Sequence, residues 1–217
     1  MMNLLNALKI DPGVTAVIGS GGKTTLLRAL ADELPGTVLL TTSTHILPFP
    51  GMPLLTAPNA EEIRAALMRH RVVCTGTPTD YGKLTAPLLP FSLLEALADY
   101  VLVEADGSKR LPLKAHAPHE PVIPTNAHRV ICVVGASGFG RPIAQTVHRP
   151  ERFCTLTGAR ESDLVTPELA ARGILSERLA DIVLLNQIDT ISAREADRFA
   201  EQLRQAGMEV ICTRLHR

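Results

Sequence analysis

A chain of 217 residues with 46% hydrophobic and 20% charged residues has the composition of a globular protein and the length to bury a full core, and one domain over 1–217 is the default expectation. Lysine plus arginine and aspartate plus glutamate balance at 22 each, so no overall field attracts nucleic acid or an anionic membrane. Only 3% of residues are aromatic and none is tryptophan, which argues against stacking on bases as the main business.

The N-terminal run M-M-N-L-L-N-A-L-K-I-D-P-G is interrupted by Asn3, Asn6 and Lys9, and falls short of the roughly 18 apolar residues that span a bilayer. It predicts a short amphipathic helix leading into a strand and, with no membrane partner, a cytoplasmic location. Strands are then expected at Val14–Ile18, Thr37–Thr41, Arg71–Cys74, Tyr100–Val103, Arg129–Val134, Ile182–Leu185 and Glu209–Cys212, each a β-branched apolar run suited to burial on both faces. Helices are expected between them at Lys23–Leu34, Glu61–His70, Ser92–Asp99, Glu151–Thr157, Pro167–Arg172 and Ala193–Ala206. Asn59 and Ser192 stand at capping positions of two of these helices. Proline and glycine mark long loops at Leu47–Pro58 and Pro112–Pro124. The alternation predicts an α/β protein, a mostly parallel sheet with helices on both faces, in the three-layer architecture of P-loop NTPases. Cys74, Cys132 and Cys212 lie in strand-like runs and read as buried, reduced thiols, and Cys154 is far from any of them.

The chemistry starts at V-I-G-S-G-G-K-T-T, from Val17 to Thr25. It joins the first strand to the first long helix, the context in which backbone N–H groups and a helix N-terminus bind phosphate. Gly19, Ser20, Gly21, Gly22, Lys23, Thr24 and Thr25 are the expected phosphate-binding residues, with Lys23 reaching the β- and γ-phosphates of ATP or GTP and the Thr24 hydroxyl on Mg²⁺. Val17 replaces the first glycine of the common G-x-x-x-x-G-K-[ST] pattern. The loop nevertheless resembles the G-T-x-G-K-T-T loop of Mur ligases, whose first glycine falls at the position of Gly19.

The strand from Tyr100 to Val103 ends in E-A-D-G, with Glu104 and Asp106 two residues apart on one side. Glu104 is the first choice to hold magnesium or its bound water and Asp106 the second, and both join Lys23 as candidate catalytic residues. The run L-N-Q-I-D after the strand at 182–185 resembles the guanine-reading N-K-x-D of GTPases, which makes Asn186 and Asp189 candidate base readers. Gln187 stands where that motif has lysine, and a strand end with a helix cap is the alternative. In T-T-S-T-H-I, Thr42 and His45 are weaker candidates to approach the γ-phosphate or metal. No arginine finger is assigned, Arg110 and Arg141 being candidates only by their place in loops; Lys109 and Lys114 follow in a proline-rich loop, to meet phosphate or an acidic substrate or, as exposed lysines more often do, only solvent. G-A-S-G-F-G, from Gly135 to Gly140, suggests a second mobile loop and fits a dinucleotide fingerprint poorly.

In this order and at these separations, G-S-G-G-K-T-T, T-T-S-T-H-I, V-E-A-D-G-S-K with L-P-L-K-A-H-A-P-H-E-P-V-I-P, and L-N-Q-I-D resemble the YqeC family over nearly the whole chain. The resemblance implies a nucleotide-binding accessory protein in the maturation of a selenium-dependent molybdenum hydroxylase or its cofactor, with that enzyme or a maturation protein as partner. His116, His119 and Glu120 fall in its proline-rich loop, as loop residues or metal ligands. Three functions follow as alternatives: a Mg-dependent NTPase, a nucleotide-gated scaffold with negligible turnover, and a ligase or kinase that activates a carboxylate or hydroxyl.

Overall fold

A computed structural model describes residues 3–215. In chain order its elements are α1 (Leu4–Ala7), β1 (Gly13–Gly19), α2 (Lys23–Glu33), β2 (Val38–Thr42), β3 (His45–Ile46), β4 (Leu54–Thr56), α3 (Ala60–Leu67), β5 (Val72–Pro78), β6 (Leu84–Thr85), α4 (Phe91–Glu95), β7 (Tyr100–Glu104), β8 (Leu113–Lys114), β9 (Ala127–Gly135), α5 (Ile143–Thr146), β10 (Val147–His148), α6 (Pro150–Thr157), α7 (Pro167–Glu177), β11 (Ile182–Asn186), α8 (Ala193–Gln205) and β12 (Glu209–Cys212). All seven expected strands and six expected helices form. The short pairings β3, β4, β6, β8 and β10 were not foreseen, because two or three residues are too few to show a period.

The chain packs as two compact units. The first holds the chain up to Val17, Leu26–Gly107 and Val122–Val130; the second holds Ile18–Thr25, Ser108–Pro121 and the chain from Ile131 on. Strands β1 and β9 and helix α2 contribute residues to both.

In the first unit β1, β7, β2 and β5 run parallel in that order, and β6 and β3 add antiparallel at the edge. Val14, Leu39, Val73, Val101 and Val103 from the strands pack with Ile63, Leu67 and Leu94 from α3 and α4. The register pairs Glu104 with Val17 on one side and with Thr42 on the other, so β2 and β7 end level with Val17 of β1 at their carboxyl edge. Open α/β sheets bind ligands at that edge. Helix α3 starts on a complete capping box, Asn59 accepting from the Glu62 N–H while the Glu62 carboxylate accepts from the Asn59 N–H.

In the second unit β9, β11 and β12 are parallel, and β8 pairs parallel with β10. Strand β11 is buried at all five positions, the first four of them the unbroken apolar run Ile182–Leu185 and the fifth Asn186. Helix α8 turns Ala196, Phe199, Ala200 and Leu203 inward, and Phe199 meets Phe139 with ring centroids 5.8 Å apart. Its Ser192 and Glu195 complete a second capping box. Cys74 and Cys132 are buried in β5 and β9, whereas Cys212 in β12 is only half-buried. Burial pushes the thiols of Cys74 and Cys212 above their ordinary value, which keeps them protonated. Among the described residues no helix is long and apolar enough to cross a membrane.

Candidate functional site

The glycine-rich loop occupies Gly19–Gly22 between β1 and α2. Its entry is tied to the sheet by the Ser20 N–H, which donates to the Val133 carbonyl at 2.8 Å. Gly21 has φ +88, and a Cβ there would stand 2.4 Å from the Cα and N of Gly135 and 2.9 Å from the Pro112 carbonyl. Only glycine meets both the dihedral and the close backbone approach. Helix α2 begins at Lys23 and carries no acidic residue in its first turn, in contrast to α3 and α8, whose first turns hold Glu61, Glu62 and Glu195. Its N-terminal partial charge is therefore not offset by an acidic side chain of its own first turn.

Lys23 is 4% exposed. Its Nζ donates to the Gly19 carbonyl at 2.7 Å and to Ser108 Oγ at 3.4 Å, curling the ammonium back over its own loop. The buried Ser20 hydroxyl donates to the Leu111 carbonyl. Thr24 is exposed at the start of the helix and Thr25 is half-buried.

A second strut comes from β11. The Asn186 amide, 3% exposed, donates from Nδ2 to the Gly21 carbonyl at 2.9 Å and accepts at Oδ1 from the Leu215 N–H at 2.9 Å. Gln187 has φ +64, and its Oε1 accepts from Ser137 Oγ at 2.7 Å. Asp189 lies three residues beyond Asn186 in a short 3₁₀ turn, is exposed, and sits 3.5 Å from Arg214. The two candidate base readers are thus placed differently: the Asn186 amide braces the glycine-rich loop, and the Asp189 carboxylate faces solvent beside a guanidinium. Gly135 and Gly138 serve packing, since a Cβ at Gly138 would overlap Leu113 Cδ1 and one at Gly135 would stand 2.8 Å from Gln187 Oε1, whereas Gly140 has open space around it and φ +73. Arg141 is exposed.

In the first unit β7 ends at Glu104, so Asp106 belongs to the loop beyond it rather than to the strand's alternation. Both are buried, Glu104 at 8% exposure and Asp106 at 0%. The Glu104 carbonyl accepts from Thr42 Oγ1 at 2.7 Å and from the Ser43 N–H at 3.2 Å, which fixes the strand end that carries its carboxylate. Thr42 acts on that backbone, and His45 is exposed on the short strand β3.

The proline-rich segment of the second unit, which the sequence predicts to be a loop, holds two polar clusters. Lys114 Nζ and Arg149 Nη1 both meet Glu120 Oε2, at 2.7 and 2.6 Å. Burial pushes the Glu120 carboxyl up, but the hydrogen bonds and charges of Arg149 and Lys114 outweigh it and hold the group at about 2. His116 is buried, its Nδ1 2.7 Å from Glu177 Oε2 while its backbone N–H donates to Glu177 Oε1 at 2.7 Å; His119 is exposed. Among the described residues no group of three or more His, Cys, Asp or Glu side chains is arranged to hold a metal. A magnesium ion bound chiefly through phosphates needs only one or two protein oxygens.

A mostly parallel α/β protein whose first strand passes through a glycine-rich turn into a lysine-led helix is the class these features define. Residues 15–151 match the family model described as YqeC protein, and the chain belongs to the YqeC family. It is similar to "Uncharacterized protein YqeC" of Escherichia coli (strain K12), 34% identical over 169 residues, which cover 70% of this chain and 66% of that protein.

Proposed function

We propose that the chain is a Mg-dependent nucleotide-binding protein of the P-loop NTPase type, acting in the cytoplasm as an accessory factor in maturation of a selenium-dependent molybdenum hydroxylase or its cofactor. The observation that carries the nucleotide reading is the buried Lys23 at the start of α2, curled onto the Gly19 carbonyl behind a turn that only glycine can form. A lysine so placed can exchange one carbonyl for phosphate oxygens by a small side-chain rotation. The first turn of α2, without acidic residues, favours the same anion. The place in molybdenum hydroxylase maturation rests on the family resemblance.

In this reading backbone N–H groups of Gly19–Thr25 cradle the phosphates, and Lys23 neutralises charge that develops on them. Thr24 and Glu104 offer a hydroxyl and a carboxylate, the hard oxygen donors that magnesium prefers, and Asp106 is the second carboxylate. Magnesium, when bound, neutralises the β- and γ-phosphates. Asn186 holds the loop in shape through Gly21, and Asp189 remains open to a base.

The test is a panel of ATP, GTP and CTP with Mg²⁺, scored for thermal shift and phosphate release on the wild type, Lys23→Ala and Glu104→Gln. Lysine-dependent shifts with release, the release lost in Glu104→Gln, are expected of the NTPase. A lysine-dependent shift without release points to a nucleotide-gated scaffold, and turnover only with an added acceptor points to a ligase or kinase. No shift with any nucleotide overturns the reading.

A further inference from the structure

Ser108–Leu111 forms a hydrogen-bonded turn, the Leu111 N–H donating to the Ser108 carbonyl at 3.0 Å. Both central residues have positive φ, Lys109 at 49 and Arg110 at 61, the pattern of a type I′ turn that ordinarily takes Asn-Gly. Two long basic residues in that position are strained, and they put like charges side by side on an exposed tip. The corners of the turn are fastened to Lys23 and Ser20. Ser108 Oγ receives Lys23 Nζ, and the Leu111 carbonyl receives the Ser20 hydroxyl. The next carbonyl, that of Pro112, accepts from the Gly135 N–H and closes against Gly21.

Lys114 and Arg149 share the single carboxylate of Glu120, and β8 sets Lys114 opposite His148 in register. Burial, then the charges of Arg149, Lys114 and Lys109, hold the His148 imidazole below its ordinary value against the opposing pull of Glu120. Lys109 therefore acts on the same imidazole as Arg149 and Lys114.

We propose that the Lys109–Arg110 turn is the chain's own cationic element for the terminal phosphate of a nucleoside triphosphate, coupled to the glycine-rich loop through Ser108 and Leu111. This rests on the proposed nucleotide site. Phosphate oxygens that draw Lys23 Nζ away from Ser108 Oγ release the hydroxyl corner of the turn while Leu111 stays bolted to Ser20, and the tip pivots its two cations onto the γ-phosphate end that Lys23 reaches. A diphosphate lacks the group the tip would meet. An arginine supplied from the same chain is a known means of stabilising charge in phosphoryl transfer.

The test compares binding of Mg-bound triphosphate and diphosphate by the wild type, Lys23→Ala and the double variant Lys109→Asn/Arg110→Gly. The double variant keeps a turn of preferred type I′ composition and removes both charges. Lys109→Gln/Arg110→Gln serves should the first fail to fold. The expected result is a triphosphate affinity weakened about 10- to 100-fold with diphosphate affinity changed less than about 3-fold, while Lys23→Ala loses both. Retention of most of the triphosphate affinity by Arg110→Lys in an otherwise native chain is expected for a charge effect. Intact Lys23-dependent binding with an unchanged triphosphate-to-diphosphate ratio in the double variant overturns this inference alone. Absence of Lys23-dependent binding in the wild type overturns the nucleotide site and this inference with it.

Discussion

Replacing Asn186 by alanine removes two hydrogen bonds of 2.9 Å, one to the Gly21 carbonyl and one from the Leu215 N–H. Both backbone partners are half-buried, so water can reach each in part, and the loss is about 1 kcal/mol per bond rather than the full cost of an orphaned group. The amide also fills space against the Gly22 Cα, where an added Cβ would lie 2.4 Å from Nδ2, so its removal leaves a small void. The sum is about 2–3 kcal/mol, a fall in melting temperature of roughly 4–12 °C for a chain of this size. Asn186→Asp keeps the acceptor for Leu215 but turns an acceptor toward the Gly21 carbonyl, and it is expected to loosen the loop at least as much. Thermal unfolding gives the stability, and hydrogen exchange at Ser20–Lys23 reports the loop. If Asn186 is a strut, Asn186→Ala weakens ATP and GTP equally. A melting shift below about 1 °C with unchanged loop exchange would refute the strut, and a loss confined to GTP would make Asn186 a base reader.

Gly21→Ala forces a Cβ against the Gly135 backbone at positive φ, and about 2–4 kcal/mol of stability is expected to be lost in chemical denaturation. Gly158→Ala is the control, since φ is +75 with open space around it and only about 1 kcal/mol is at stake. Equal losses at the two positions would remove the close-packing argument. Glu120, held at about 2 against an ordinary 4.5, contributes stability that is full above about pH 4.5 and is lost as pH falls toward 2. The ceiling is about 3 kcal/mol, reduced toward 2 by the partial exposure of Arg149. Glu120→Gln should flatten that acid limb, and at neutral pH cost about 3 kcal/mol because the Lys114 side chain, fully excluded from solvent, loses a carboxylate partner. An acid limb of the same depth in both proteins would contradict this.

The long strands were legible because their residues are β-branched, apolar and bounded by polar turns, and the helices because leucine spacing and capping residues such as Asn59 and Ser192 speak locally. The glycine-rich loop was legible for the same reason: its glycines and lysine are contiguous. What could not be read were partners distant in sequence. Nothing in G-S-K-R announces that Ser108 meets Lys23 across 85 positions, or that two residues without glycine's freedom take positive φ. The L-N-Q-I-D motif pointed toward a base, while its asparagine reaches 165 positions back to Gly21. The proline-rich segment concealed Lys114–Glu120–Arg149 and His116–Glu177 because each cluster joins it to elements further along the chain.

The most direct test of the central claim is calorimetric titration of Mg-ATP and Mg-GTP into the wild type and Lys23→Ala at matched salt. Saturable binding by the wild type of at least one nucleotide, weakened about 100-fold or more by loss of the buried ammonium, is the predicted result. Equal heats from the two proteins, or none from the wild type at millimolar nucleotide, would contradict it.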